Sequence, residues 1–223
     1  MWIKICGNTN LEDTQLAVEA GADAVGFVFA ESPRRVSAVQ VRAITPHLPD
    51  AVEKYGVFVD PDFEEISRTV TESGLTGVQM HASGDLHLPA KLREHFGPAL
   101  HILQVIHYAQ DFRAQLDIFR QDPAIDAVLV DSRTATAVGG TGTSFDWQAA
   151  SRGFQDSASH LRLIAAGGLN PGNVTEAIRT LQPWGVDVVS GVESAPGQKD
   201  PYRVKAFVAA AKAAAEETTS TTR

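Results

Sequence analysis

Residues 1–29 read MWIKICGNTNLEDTQLAVEAGADAVGFVF and contain a complete structural unit. A short apolar run, Trp2–Cys6, is followed by an amphipathic helical pattern at 11–20 and by a second apolar run, Ala24–Phe29. Apolar runs of this length are typical of buried strands, and a helix between two of them indicates a crossover between parallel strands. The segment therefore predicts a strand–helix–strand unit of a parallel sheet.

The same alternation continues through the 223 residues of the chain. Further strands are predicted at Glu53–Val59, Gly77–Met80, His101–Ile106, Ala127–Asp131, Arg162–Ala165 and Asp187–Ser190. Further helices are predicted at 37–46, 61–73, 88–96, 109–120, 146–154, 171–181 and 201–216. Eight such units favour a closed barrel, a fold that needs about 200–250 residues. The predicted fold is α/β, a single (βα)8 TIM barrel with a parallel eight-stranded sheet, at 1–217, followed by a flexible tail at 218–223.

Capping signals mark several of the predicted helix starts. Thr9 and Glu12 have the spacing of a capping box. An Asx residue precedes a proline at three other starts, which are Asp60-Pro61, Asn170-Pro171 and Asp200-Pro201.

The composition excludes several classes of partner and location. A net charge of −8 argues against nucleic acid or an anionic membrane as the main partner. Cys6 is the single cysteine, so an intrachain disulfide is impossible. The sequence lacks the apolar stretch of a signal peptide and any run of about 20 apolar residues, so a cytoplasmic enzyme is expected. Nothing in the sequence predicts an oligomeric state.

The chemistry of a barrel enzyme lies where its strands end and its βα loops begin, and Cys6 occupies such a position. A lone cysteine in an apolar strand is usually a packing residue. However, Ile3 and Ile5 share one face of the strand while Lys4 and Cys6 share the other. We expect the isoleucines to face the helices and Cys6 to face the barrel interior, where a thiol with a reference pKa of about 8.5 is within reach of a role as a base.

Asp131 ends the sixth predicted strand after four apolar residues. A carboxylate in this position is either a cap for the following loop or a catalytic acid, and the residue alone leaves both alternatives open. Partial burial at the rim would favour the protonated carboxyl and therefore the acid role.

Glycine-bearing loops follow the last two strands, and barrels often bind phosphate there through backbone N–H groups. The candidates are Gly167, Gly168, Ser190 and Gly191. They would give an acidic protein a local positive potential without added basic side chains. Gly140, Thr141 and Gly142 lie in a long loop at 132–145, which is predicted to be a lid or binding loop, with a merely flexible loop as the alternative.

Two further rim residues are candidates for substrate binding. Arg34 follows the second strand and could bind a carboxylate or phosphate through two N–H groups, or it could be a solvated surface charge. His81 follows the fourth strand and could contact substrate or be a structural histidine. The histidines show no paired ligand spacing, so the sequence predicts no metal site.

Several of these residues belong to motifs that resemble one known family. The motifs are Lys4-Ile5-Cys6-Gly7, Ser32-Pro33-Arg34, Val78-Gln79-Met80-His81, Gly139-Gly140-Thr141-Gly142, Gly167-Gly168-Leu169-Asn170 and Ser190-Gly191-Val192-Glu193. In order and spacing, from residue 3 to about 207, the chain is similar to the phosphoribosylanthranilate isomerase family of tryptophan biosynthesis.

The resemblance implies an Amadori rearrangement of N-(5-phosphoribosyl)anthranilate, a small phosphorylated sugar amine. It implies that Asp131 is the acid that opens the furanose ring, that Cys6 is the base, and that Arg34 binds the anthranilate carboxylate. This route requires no metal and no other cofactor. Two alternatives are the histidine-pathway isomerase, which has an aspartate in place of Cys6 and two half-barrel repeats, and a non-catalytic phosphosugar-binding barrel.

Overall fold

The computed structural model describes residues 1–81, 85–108, 112–131, 147–155 and 161–221. Eight parallel strands form a closed barrel in chain order, which confirms the predicted fold. The strands are β1 Trp2–Ile5, β2 Ala24–Val28, β3 Glu53–Val59, β4 Gly77–His81, β5 His101–His107, β6 Ala127–Asp131, β7 Arg162–Ala166 and β8 Gly185–Val188. The helices are α1 Leu11–Ala20, α2 Ala38–Arg42, α3 Phe63–Ser73, α4 Leu88–Phe96, α5 Phe112–Arg120, α6 Trp147–Gln155, α7 Val174–Leu181 and α8 Pro201–Thr221.

Alternation along each strand divides the core into two parts. Ile3 and Ile5 pack with helix residues such as Ile66 in the layer between strands and helices. A second cluster, which includes Trp2 and Tyr55, fills the barrel interior. The predicted orientation of β1 is confirmed, and Lys4 lies in the interior with its side chain fully buried.

Some boundaries differ from the predictions. Strand β8 begins two residues before the predicted start at 187, because Gly185 pairs with Trp2 and Ile164. Helix α2 ends at Arg42, and a 3₁₀ turn containing Pro46 replaces the rest of the predicted helix. Helix α8 continues past the predicted end at 216 to Thr221, into the segment 218–223 that was predicted to be a tail. Alanine-rich sequence propagates a helix readily.

The capping signals identified the correct regions but often the wrong residue. Helix α1 is capped by Asn10 rather than Thr9. Helix α3 is capped by Asp62 rather than Asp60. Helix α7 begins after Asn173 because Pro171 belongs to a preceding turn. The prediction for α8 is confirmed, since the Asp200 carboxylate accepts hydrogen bonds from the first free N–H groups of this helix.

The chain after β8 forms a small structure beside the carboxyl end of β1. It consists of a 3₁₀ turn at Ser190–Val192 and a hairpin of β9, Glu193–Ala195, with β10, Gln198–Lys199. The Lys199 N–H donates to Asp13 of α1 at 2.9 Å, and the Thr9 hydroxyl donates to the Gly197 carbonyl at 2.7 Å. These bonds hold the hairpin against α1 and the loop that follows β1.

Candidate active site

One cavity at the carboxyl ends of the strands brings together most of the predicted site residues. Its lining includes Cys6, Arg34, His81, Asp131, Gly167, Gly168 and Ser190. Gly191 lies outside this lining. The predicted contacts at Gly140, Thr141 and Gly142 fall outside the described residues.

Cys6 follows β1 and is 2% exposed. Its N–H donates to the Val188 carbonyl at 2.9 Å, which extends the pairing of β1 with β8 by one residue. The thiol packs over Gly26, where an added Cβ would lie 2.5 Å from Sγ. Burial raises the pKa of the Cys6 thiol, and the positive charge of Lys4 opposes this increase.

Asp131 is the last residue of β6 and is 2% exposed. Strands β7 and β8 separate β6 from β1 in the barrel, so Asp131 and Cys6 face the cavity from different parts of the rim. This separation is suited to two groups that transfer protons at different atoms of one ligand.

Arg34 is held by a carboxylate. Its Nε donates to Oε1 of Glu193 at 2.9 Å, and its Nη2 donates to Oε2 at 2.6 Å. The side chain also packs against Gly7, whose φ of +75° and contact with the arginine Cδ both require glycine. With 19% of its side chain exposed, Arg34 is not a solvated surface charge, so that alternative is wrong.

Lys199 joins Arg34 and Cys6 in one buried network, which the sequence analysis did not identify. Its Nζ donates to the Cys6 carbonyl at 2.6 Å and to Oε1 of Glu193 at 3.1 Å. Burial lowers the pKa of Lys199, although the charge of Glu193 opposes the change. Burial opposes ionisation of Glu193 too, but the Arg34 hydrogen bond and the Lys199 charge outweigh it and hold the pKa of Glu193 below its ordinary value. The network thus fixes both the arginine and the backbone at Cys6.

A second buried network forms the floor of the cavity. Lys4 Nζ donates to Oδ1 of Asp187 at 2.8 Å and to Oε1 of Gln79 at 2.9 Å. Asp187 and Gln79 also line the cavity. The Gln79 amide nitrogen lies 3.1 Å from Nε2 of His81, so His81 is linked to this network. The parity of β1 placed Lys4 inside the barrel, but nothing local in the sequence paired it with a residue of β8.

Two glycines in the loop after β7 line the cavity and have left-handed backbone conformations. Gly167 and Gly168 have φ values of +83° and +65°, which favour glycine. Within the described ranges, no group accepts a hydrogen bond from either N–H. Gly191 plays a different part, because an added Cβ would collide with the Leu169 carbonyl. It therefore allows the two loops to pack closely.

The described part of the chain lacks a metal-binding cluster and a membrane-spanning helix. There, no group of three or more His, Cys, Asp or Glu side chains is arranged to hold a metal ion. No helix among the same residues has both the length and the apolar character that a bilayer span requires.

Comparison with known proteins identifies the family. The model of the family described as N-(5′-phosphoribosyl)anthranilate (PRA) isomerase matches residues 3–210. The chain belongs to this family. An N-(5′-phosphoribosyl)anthranilate isomerase from Pelobacter propionicus is 38% identical, over 97% of this chain and 98% of the relative. One from Rubrobacter xylanophilus is 41% identical, over 94% of this chain and 98% of the relative.

Solved structures of phosphoribosylanthranilate isomerases have the same fold. The enzyme from Thermotoga maritima superposes with a TM-score of 0.84 at 37% identity, covering 96% of this chain and 99% of that one. A phosphoribosylanthranilate isomerase in complex with reduced 1-(o-carboxyphenylamino)-1-deoxyribulose 5-phosphate gives a TM-score of 0.80 at 35% identity, with the same coverage. As a member of the PRA isomerase family, the chain is an isomerase.

Proposed function

We propose that the chain converts N-(5-phosphoribosyl)anthranilate into 1-(2-carboxyphenylamino)-1-deoxyribulose 5-phosphate, in the tryptophan pathway of the cytoplasm, by general acid–base catalysis. Family membership supports the reaction, and the similar enzyme with a bound reduced product supports the substrate class. The observation that carries the mechanism is the meeting of Cys6, Asp131 and Arg34 at one cavity.

Asp131 supplies the first proton in this mechanism. The furanose ring oxygen becomes a leaving group when its bond to C1′ breaks, and it needs a proton at that moment. The buried carboxyl of Asp131 donates this proton, and the anthranilate nitrogen supplies the electron pair that forms the Schiff base. The ring oxygen becomes the C4′ hydroxyl.

Cys6 performs the second proton transfer. Its thiolate removes the proton from C2′, and the electron pair of that C–H bond neutralises the iminium to give an enolamine. The enolamine then takes a proton at C1′ and loses the proton of its C2′ hydroxyl, which gives the ketone. Atoms and charges balance, as an isomerisation requires.

The remaining predicted residues bind the two anionic ends of the substrate. Arg34 binds the anthranilate carboxylate with the part of its guanidinium that Glu193 does not occupy. Backbone N–H groups at Gly167, Gly168 and Ser190, which line the cavity, bind the phosphate, and Gly191 remains a predicted contact. His81 contacts the substrate at the rim, and Gly140, Thr141 and Gly142 remain predicted contacts from the loop.

The direct test is turnover of freshly prepared phosphoribosylanthranilate, followed by loss of its fluorescence. We expect turnover with this substrate and at least about 10²-fold lower kcat/KM with the histidine-pathway phosphoribosyl amine. Preference for the second substrate would assign the chain to the histidine pathway. Binding of a reduced product without turnover of either substrate would identify a binding protein.

Arg34→Lys is expected to lower kcat/KM, with a loss of transition-state stabilisation of about 1.5–3 kcal/mol. Lysine keeps the positive charge but cannot bind a carboxylate through two N–H groups. Arg93→Lys is a matched control, since Arg93 is a forked, part-buried arginine that binds the Leu100 carbonyl and Asp126 at the opposite end of the barrel. Steady-state kinetics of Arg34→Lys that equal those of wild type would remove Arg34 from the binding site.

Dialysis against EDTA is expected to leave kcat/KM unchanged, because the proposed proton transfers use side chains alone. The assay compares dialysed enzyme with the same sample after divalent cations are restored. A large loss that a cation reverses would contradict the proposed mechanism.

A further inference from the structure

The ion pair between Lys4 and Asp187 lies inside the barrel, a region that branched apolar residues usually fill. Lys4 is fully buried and Asp187 is 4% exposed. A buried ion pair is weak as a source of stability, because the loss of hydration offsets most of the attraction. This pair lies directly beneath the cavity that contains Cys6, so its position is better explained by the chemistry above it.

Lys4 and Cys6 pack side by side. They are two residues apart on β1 and its extension, so both side chains point to the same face. They meet over Gly26 of β2, where an added Cβ would lie 2.5 Å from the Cys6 Sγ and 3.1 Å from the Lys4 Cε. A larger residue at position 26 would push the Cys6 thiol and the Lys4 side chain apart or displace both of them.

We propose that Lys4 is a positioning residue for Cys6, and that its ammonium, held by Asp187 and Gln79, stabilises the thiolate that acts as the base. This inference rests on the proposed role of Cys6. Burial penalises the thiolate, and Lys4 is the largest single influence that lowers the pKa of Cys6 against that penalty, while Asp187 raises it.

Other charged and titratable groups also face Cys6. Lys199 of β10 assists the thiolate, but its ammonium is bound to the Cys6 carbonyl and to Glu193. Across the cavity the lining includes Arg34 after β2, His81 of β4 and Asp131 of β6. Lys4 differs from these groups because it is fully buried and is not part of the cavity lining, so it acts through the side chains that it contacts, among which Cys6 is the proposed base.

The test uses alkylation of Cys6 by iodoacetamide, which reports one site because the chain has one cysteine. The rate constant is measured by mass spectrometry from pH 5 to pH 10 in wild type, Lys4→Met and Asp187→Asn. In Lys4→Met the rate at pH 7 should fall about five- to tenfold, and the midpoint should move to higher pH. In Asp187→Asn the rate should rise and the midpoint should move to lower pH.

Lys54→Met is the matched control, because Lys54 is a buried lysine on β3 whose ammonium binds the Pro49 carbonyl away from Cys6. It should leave the midpoint in place. Two results would overturn the proposal. In the first, the midpoint of the alkylation profile in folded Lys4→Met equals that of wild type. In the second, the midpoints of Lys4→Met and Asp187→Asn shift in the same direction. If circular dichroism shows that Lys4→Met does not fold, the test rests on Asp187→Asn. An alkylation midpoint in Asp187→Asn that is equal to or higher than that of wild type would then contradict the proposal.

The alkylation series does not measure turnover, so it separates this inference from the proposed function. Full activity of Cys6→Ala would contradict the role of Cys6 as the base, whatever the alkylation midpoints are. Opposite midpoint shifts with an inactive Cys6→Ala variant would support both statements.

Discussion

Cys6→Ala is expected to lower kcat by about 10²–10⁴-fold while the barrel remains folded. The substitution removes one sulfur from a buried site and leaves the backbone bonds of Cys6 to Val188 and Lys199 in place. Proton removal from C2′ then has no side-chain base. The measurements are kcat with saturating substrate and Tm by circular dichroism.

Cys6→Ser serves as the control for shape, because the hydroxyl nearly fills the space of the thiol but ionises far too weakly to replace it. It should be as inactive as the alanine variant. Iodoacetamide should inactivate the wild type, and the reduced product should protect it. If Cys6→Ala retains full activity, Cys6 is a packing residue and the base lies elsewhere on the rim.

Asp131→Asn is expected to lower kcat by about 10²–10⁴-fold and to weaken binding of the reduced product much less. The amide keeps the shape of the side chain but has no proton to give to the ring oxygen. A general acid is active in its protonated form, so it produces the fall in rate toward high pH. That limb should disappear in Asp131→Asn when chemistry limits turnover, while the fall toward low pH, which reports protonation of the Cys6 thiolate, should remain.

Asp126→Asn is the matched control, because Asp126 precedes the same strand at its other end and binds Arg93 and the Ile102 N–H there. It should reduce Tm and leave kcat unchanged. If Asp131→Asn instead weakened product binding and left kcat unchanged, Asp131 would be a binding or capping residue.

The barrel fold was predictable because the sequence patterns that indicate its strands and helices each lie within a short stretch of the chain. Each strand is a short apolar run and each helix has its own periodicity, so eight units could be counted without knowledge of their contacts. The orientation of Cys6 followed from parity alone. The errors at helix starts have a local cause as well, since Asp60 and Asp62 both carry a capping side chain and only the backbone geometry selects Asp62.

The partners of the site residues were not predictable in the same way. Arg34 and Glu193 are 159 positions apart, and Lys4 and Asp187 are 183 apart. Their pairing depends on barrel closure, which sets the register of β1 against β8. The sequence could therefore place Arg34 on the rim, but the carboxylate that orients it became evident only from the structure.

The bond from Lys199 to the Cys6 carbonyl joins two residues 193 positions apart. During synthesis, the ribosome must therefore release almost the whole chain before the surroundings of Cys6 can be completed. Bringing together two residues so far apart in the chain lowers its conformational entropy before these contacts can stabilise the fold. A nascent chain that lacks its last βα unit contains Cys6 and Lys4, but it lacks Asp187, which binds the Lys4 ammonium, and Lys199, which binds the Cys6 carbonyl. The surroundings of the thiol are therefore completed only when this last unit folds.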